Sequence, residues 1–459
     1  MTQMVQRDGL VEKLDVRADG TGLVGHAGGA LLAGVADRVG LTRALSAAMA
    51  ATRERRSAHD PGVVLRDLAV MLADGGTCLA DLGAQRDQPD LFGNVASDST
   101  AFRVIDSIDP QCLGRLRAAV AVARAGAWRI GARPERSLAR WHNRCERTVI
   151  DIDATLTGSS SEKEDAGGNF KGGYGHHPLL GYLDGTGEAP AGILRAGNAG
   201  SNTASDHKQV LDLAFAQLDP LALEGEILIR ADGAGSTHEL TEYCREGDLR
   251  FSVGFDLSQP VREQVISTPE TAWERAIRAD GTQREHSQVC EITDRVELST
   301  WPAGSRLIAR RTKLKDGDQQ SFADHDGYRL CVFLTDQPGA SIPQLDLDHR
   351  GHARVEDRIR QGKDCGLANL PFRSFANNQV WLWLVMLAQD LIAWTQQLCL
   401  AEHARRWELK RLRYRLLHQS GRIARHARQT ILRLSRDWPW AGQLAAAFAR
   451  LQALPTPTG

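Results

Sequence analysis

Three acidic residues, far apart in the chain, have the types and settings that metal-dependent phosphodiester chemistry requires. Asp153 closes the run Arg147-Thr-Val-Ile-Asp-Ile-Asp, Asp232 closes Glu226-Ile-Leu-Ile-Arg-Ala-Asp, and Glu356 lies in a helical stretch that opens at His352. Carboxylate oxygens are hard donors and suit Mg²⁺ or Mn²⁺ rather than softer ions. Two such ions about 3.5–4 Å apart activate a water or a 3′-hydroxyl and stabilise the leaving oxygen of a phosphodiester. Each residue has a plainer reading when taken alone. An Asp before Gly is more often a turn residue, and a Glu among arginines on a helix is commonly a solvated ion-pair partner. Order and setting carry the functional reading.

The settings are specific. Asp151 and Asp153 alternate with Ile150 and Ile152, so on a strand both carboxylates share one face and the isoleucines take the other. Asp232 ends an apolar strand just before Gly-Ala-Gly-Ser, where a strand gives way to a loop and working groups are commonly placed.

These residues need a scaffold, and the hydrophobic period divides the chain into zones. Residues 1–145 have a helical pattern, with Asp60-Pro61 as an N-cap and first-turn proline and a second helix start at Ser99. This region is either a DNA-binding bundle resembling a helix-turn-helix or a plain helical bundle. From residue 146 the pattern gives a strand, a hairpin over Pro178–Asp184 and Ala191–Ala196 turning at Gly185-Thr186-Gly187, and a helix capped near Ser205 or Asp206. A strand to Asp232, a helix and a strand Leu249–Phe255 follow. Three strands, helix, strand, helix, strand is the order of a ribonuclease-H-like core, residues 146–255. Residues 256–345 carry β-patterned runs and are expected to form an inserted β subdomain. A core helix over 346–370 then carries Glu356, and 371–459 is expected to be a basic helical region. The fold class is therefore α+β, with helical regions flanking the core at both ends.

Composition limits the alternatives. A length of 459 residues suggests about three domains at roughly 150 residues each. The net charge of −1 gives no global sign of a nucleic-acid partner, but the stretch Arg405–Arg436 holds eleven Lys or Arg against one Glu. Arg411, Arg415, Arg422 and Arg425 recur there at three-, four- or seven-residue steps, which on helices gives a basic face able to neutralise phosphates. A solvated surface is the plainer alternative. Eight scattered cysteines without a Cys-x-x-Cys pair imply reduced thiols in the cytoplasm rather than zinc or disulfides. The opening MTQMVQRDGLVEKLD has no signal-peptide core. The apolar run Val380–Ala388 is far shorter than the roughly 20 residues of a membrane span, so it reads as a buried helix and no membrane partner is expected. His176 and His177 are vicinal on a strand and point to opposite faces, which disfavours a joint metal site.

The segments Asp151-Ile-Asp-Ala-Thr155, Arg230-Ala-Asp-Gly-Ala-Gly-Ser236 and His349–Arg360 together resemble the insertion-sequence 1380 family of bacterial DDE transposases. These belong to a wider group whose third acid follows a β insertion, and that wider group carries a signature of Tyr, two residues, Arg, three residues, Glu, six residues, Lys. Glu356 and Lys363 match it, while His349 and His352 stand at the Tyr and Arg positions. Arg350 or Arg354 is the candidate replacement cation. The similarity runs from about Ala30 to Trp440, and no Gly-rich nucleotide loop, HExxH or nucleophile elbow competes with it.

The resemblance implies a transposase that binds terminal inverted repeats as a homodimer on double-stranded DNA. It would cleave the element ends and join 3′-hydroxyls to target DNA with two Mg²⁺ or Mn²⁺ ions on Asp153, Asp232 and Glu356. Asp153-Ala154-Thr155 matches the family's first acid, and Asp151 is either its supporting neighbour or the ligand itself. Lys363, Arg350, Arg354 and Arg360 join the basic set as DNA contacts. Trp301 in the insertion is a candidate base-stacking residue, with core packing as the plainer role. A bacterial, nucleoid-associated location follows from the same resemblance. A ribonuclease-H-like nuclease without strand transfer and a domesticated DNA-binding protein are the alternatives.

Overall fold

The computed structural model describes residues 14–53, 58–133, 147–168, 172–200, 203–219, 225–319, 321–427 and 429–456. Its N-terminal part is helical: α1 (Gly29–Arg38), α2 (Leu41–Ala48), α3 (Pro61–Asp74), α4 (Asp98–Asp106) and α5 (Pro110–Ala127). Asp60 caps α3 as its sequence predicts. Its carboxylate accepts from the amides of Gly62 and Val63, and Pro61 takes the first-turn position that needs no N–H. The second start is displaced, since Ser97 rather than Ser99 is the cap of α4 and accepts from the Thr100 amide.

The central layer follows the predicted order: β1 (Arg147–Ala154), β2 (Leu179–Leu183), β3 (Ala191–Ile193), α6 (Ala204–Phe215), β4 (Glu226–Ala231), α7 (His238–Glu246) and β5 (Arg250–Phe255). The strands lie in the spatial order β3-β2-β1-β4-β5. The first three are antiparallel neighbours, while β1–β4 and β4–β5 are parallel. Ile150, Ile152, Ile229 and Val253 are buried, so the apolar members of the alternation do form the core. Thr203 rather than Ser205 or Asp206 precedes α6, without a side-chain cap.

The next strands, β6 (Glu274–Ile277), β7 (Gln283–Glu291), β8 (Arg306–Lys313) and β9 (Tyr328–Thr335), fall in the stretch expected to be β-rich and join the central sheet. β9 pairs antiparallel with β5, Phe333 opposite Gly254 and Thr335 opposite Ser252, and the order continues β8-β7-β6. An open β5 edge would leave a row of unpaired amides and carbonyls, and β9 satisfies them. The chain then enters α8 (Ile342–Arg350) and α9 (Arg354–Gly362), separated by one tight turn, and the long α10 (Phe375–Cys399).

α10 is buried on nearly all sides from Val380 to Thr395, as expected for the apolar run it contains. Among the described residues no helix is long and apolar enough to cross a membrane. The C-terminal region departs from expectation. Two paired strands, β10 (Gly421–His426) and β11 (Gln429–Leu434), edged by Leu23 and Val24, stand there before α11 (Ala441–Ala453). A charge run carries no hydrophobic period, so arginine spacing alone could not separate helix from strand there. The seven described cysteines are free, and Cys145 lies outside the described residues.

One buried polar network ties the layers together. Arg124 of α5 donates to Glu188 at 3.0 Å and to Gln217 at 2.9 Å, and pairs with Asp390 of α10. Glu188, in the β2–β3 connection, also accepts from the Trp128 and Trp394 indoles at 2.9 and 2.7 Å. Arg124→Ala leaves two acids buried without their cation, a loss of about 3–5 kcal/mol. A markedly lower urea midpoint is expected, and an unchanged midpoint would contradict this account of the core.

Candidate active site

Strand register explains how the two aspartates come together. β1 and β4 run parallel with Asp151 opposite Arg230 and Ile152 opposite Ala231. Two residues further along each strand, on the same face, stand Asp153 and Asp232. Asp232 is exposed and turns into the following loop, its Oδ1 accepting from the Ala234 amide at 3.0 Å. Glu356 is exposed in the first turn of α9, where the helix dipole favours an acid.

The charges of Asp232 and Glu356 both act on the Asp153 carboxyl. Burial pushes its carboxyl up to about 6; the negative charge of Asp232 adds to this, and Glu356 pushes the same way, while His352 and the Ala154 amide oppose. Three hard oxygen donors that repel one another fit a divalent cation, which would relieve that repulsion.

Asp151 belongs to the layer beneath. Arg230 donates to both its oxygens at 2.8 Å, and His352 Nδ1 lies 2.9 Å from Oδ1. Asp151 is buried and its oxygens are already engaged, whereas Asp153 is the β1 aspartate whose carboxyl is raised by burial and by the charges of Asp232 and Glu356. Arg230 also pairs with Asp184 at 3.0 Å and donates to the Asp348 carbonyl at 2.7 Å. Gly351, between α8 and α9, abuts this guanidinium. A Cβ there would come within 2.0 Å of Arg230 Nη1, and a guanidinium held by three partners has no room to retreat.

His349 and His352 hold helices in place. His349 hydrogen-bonds to Ser252 of β5 at 3.0 Å and stacks on Phe333 with ring centroids 4.3 Å apart. Burial pushes its imidazole down to about 3, so it is neutral. His352 joins the start of α9 to Asp151, with its Nε2 buried and without a hydrogen bond.

The predicted cations divide into groups. Arg350 turns to Asp346 at 2.8 Å and the Ile277 carbonyl at 2.7 Å, and Arg354 grips Asp184. Neither stands in for a cation beside the carboxylates. Arg360 pairs with Asp357 at 2.7 Å on the same helix, whereas Lys363 makes no ion pair among the described residues. Arg411 is exposed in a single turn, and Arg415 is sandwiched between Trp407 and Trp440, 4.6 Å from each ring. Arg422 and Arg425 lie on β10, and Arg425 meets Asp90. Residues three apart on a strand point to opposite faces, so the single basic helical face does not exist. Trp301 is half-buried against His238, 4.0 Å between centroids, and Phe255. His176 and His177 bond to separate carbonyls, those of Glu164 and Ala199.

Sequence reasoning missed Arg230 and Asp184 as the supports of the site. Arg230 lies two residues before Asp232, at the spacing of Asp151 before Asp153, and that parallel was the available signal. Asp184 gave none, because its partners come from β4 and α9.

The family model described as transposase DDE domain group 1 matches residues 7–456. No curated protein matches the chain. Among solved structures, the cryo-EM structure of a piggyBac transposase synaptic complex with hairpin DNA is similar with a TM-score of 0.39 and 12% identity, over 85% of this chain and 80% of that one.

Asp153 predicts a pH-dependent stability in metal-free buffer. Folding raises the Asp153 pKa, so the native state binds its proton more tightly, and stability falls as pH rises from about 4 to about 6. Asp153→Asn should flatten that slope in urea unfolding. Asp151→Ala should instead cost about 3–5 kcal/mol, because Arg230 loses the partner it grips with two hydrogen bonds. The assignment fails if the two variants exchange these behaviours.

Proposed function

This chain belongs to the DDE transposases of group 1, and from that premise we propose that it binds terminal inverted repeats, cleaves at the element ends and joins the freed 3′-hydroxyls to target DNA. The parallel β1–β4 register, which carries Asp153 and Asp232 each two residues past the Asp151–Arg230 pair, supports this reading, together with the charge of Glu356 acting on Asp153. These residues would hold two Mg²⁺ or Mn²⁺ ions. When bound, the ions supply activation of the attacking oxygen and stabilisation of the leaving one.

The chain's own groups orient that site. Asp153 would sit at its floor and Asp232 at its rim, with Glu356 closing it from α9. Asp151, Arg230 and His352 fix the two strands and the helix beneath, so the carboxylates are pre-positioned for the reaction. Lys363, one helical stretch past Glu356 and without an ion-pair partner among the described residues, is the group to contact a phosphate near the cut. Arg411 and Arg422, both exposed, would add phosphate contacts along the flanking DNA. The partner is double-stranded DNA bound by a homodimer that pairs two element ends. The signature around Glu356 supports a bacterial element of the insertion-sequence 1380 type acting in the cytoplasm at the nucleoid.

The test is a plasmid carrying the element's inverted repeats, incubated with the full chain and Mg²⁺. Cleavage at the ends and strand-transfer products are expected. Asp153→Ala, Asp232→Ala and Glu356→Ala should each lower both by more than about 100-fold, since even outer partners of a metal site cost about 10–100-fold. Cleavage without joining would reduce the protein to a nuclease. Activity unchanged in Asp232→Ala would remove the carboxylates from the mechanism.

A further inference from the structure

Far along the chain from the carboxylates, His26, Asp74 and His418 come together from three separate segments. The ligand-capable atoms of these three residues lie within 4.8 Å of one another. His26 Nδ1 is 2.6 Å from Asp74 Oδ2, and His418 Nε2 lies 2.7 Å from the Asp74 carbonyl and 3.4 Å from its Oδ1. We propose that these residues form a Zn²⁺ site that fastens the segment before α1 and the end of α3 to the start of the C-terminal strand pair.

Asp74 sets the demand for a cation. It is the last residue of α3, at the negative end of the helix dipole, and its side chain is only 8% exposed. Its Oδ1 makes no hydrogen bond, and its ion-pair partners are the imidazoles of His26 and His418 themselves. Arg413 does not meet that demand, because it is spent on the carbonyls of Leu72, Ala73 and Asp364. A buried carboxylate at such a position calls for positive charge, and two imidazoles with a carboxylate are a ligand set for Zn²⁺ rather than Mg²⁺.

The surroundings leave a place for a fourth ligand. His418 lines a cavity of about 680 Å³ together with Gln419, Tyr414 and Trp438. Gln419 is 4% exposed, yet neither its Oε1 nor its Nε2 has a hydrogen-bond partner. Gln419 directly follows His418 in the chain, and its unpartnered buried amide calls for a polar partner such as a water. Three protein ligands with an open fourth position is an arrangement Zn²⁺ commonly takes. Tetrahedral ligand atoms stand about 3.3 Å apart, so closing the trio around an ion needs side-chain adjustments of about an ångström.

The experiment uses the chelator-treated full chain with Mg²⁺ present throughout. Zn²⁺ titrated against a chelating dye should fill about one tight equivalent per chain, present in Asp153→Ala and lost in His418→Gln. Diethyl pyrocarbonate footprinting of the wild-type chain gives a readout independent of any variant. Modification of His26 and His418 should slow at least about tenfold on adding Zn²⁺ and remain unchanged with Mg²⁺ alone. Equal Zn²⁺ uptake by wild type and His418→Gln, or no protection of the two histidines, would overturn the site and leave a hydrogen-bonded His–Asp–His trio.

Discussion

The guanidinium of Arg230 is buried at a point where the elements bearing the candidate carboxylates meet. It stands on β4, grips Asp151 of β1 with two hydrogen bonds, reaches Asp184 beyond β2 and binds the last turn of α8 through the Asp348 carbonyl. α9 is attached to the same cluster twice, through His352 on Asp151 and Arg354 on Asp184. A buried charge held by three partners tolerates little movement, because any loosened contact leaves a desolvated ion. The strand ends and the helix carrying Glu356 are therefore set in place by one ionic cluster.

That constraint separates two layers of acids with different work. Asp151 and Asp184 are buried and neutralised by arginine, and Arg354 holds the Asp184 carboxyl below the usual range, with Arg230 contributing. Asp232 and Glu356 are exposed and Asp153 is half-buried, and burial together with the charges of Asp232 and Glu356 raises the Asp153 carboxyl against the opposing pull of His352. Destabilising acids that repel one another are tolerated where function requires them, and the rigid layer below compensates for that local cost.

Much of this was legible in the sequence where a pattern repeats locally. A period of two marked β1, β4 and β5, put Asp151 and Asp153 on one face, and gave the strand order of the core. The Asp60-Pro61 pair marked the start of α3. What escaped depended on partners distant in sequence. The β strands of 256–345 were visible as β-patterned runs, but the pairing of β9 with β5 was not, because edge pairing leaves no local mark. The run Arg405–Arg436 announced charge but not geometry, and its paired strands were hidden by arginines that mask any apolar alternation. Arg415 looked like a phosphate contact in sequence, yet its two tryptophan partners lie on either side of it in the chain. The His26–Asp74–His418 trio joins residues from both ends of the chain and has no spacing to find.

The central claim is that Asp153, Asp232 and Glu356 share bound divalent ions, and localised hydroxyl-radical cleavage tests it most directly. Fe²⁺ substituted into the site, with ascorbate and peroxide, cuts the backbone beside wherever it binds. Cuts adjacent to all three residues, competed away by Mg²⁺ or Mn²⁺ and lost in Asp153→Ala, are the predicted result. Absence of cuts at these positions, or cuts that persist in Asp153→Ala, would contradict it.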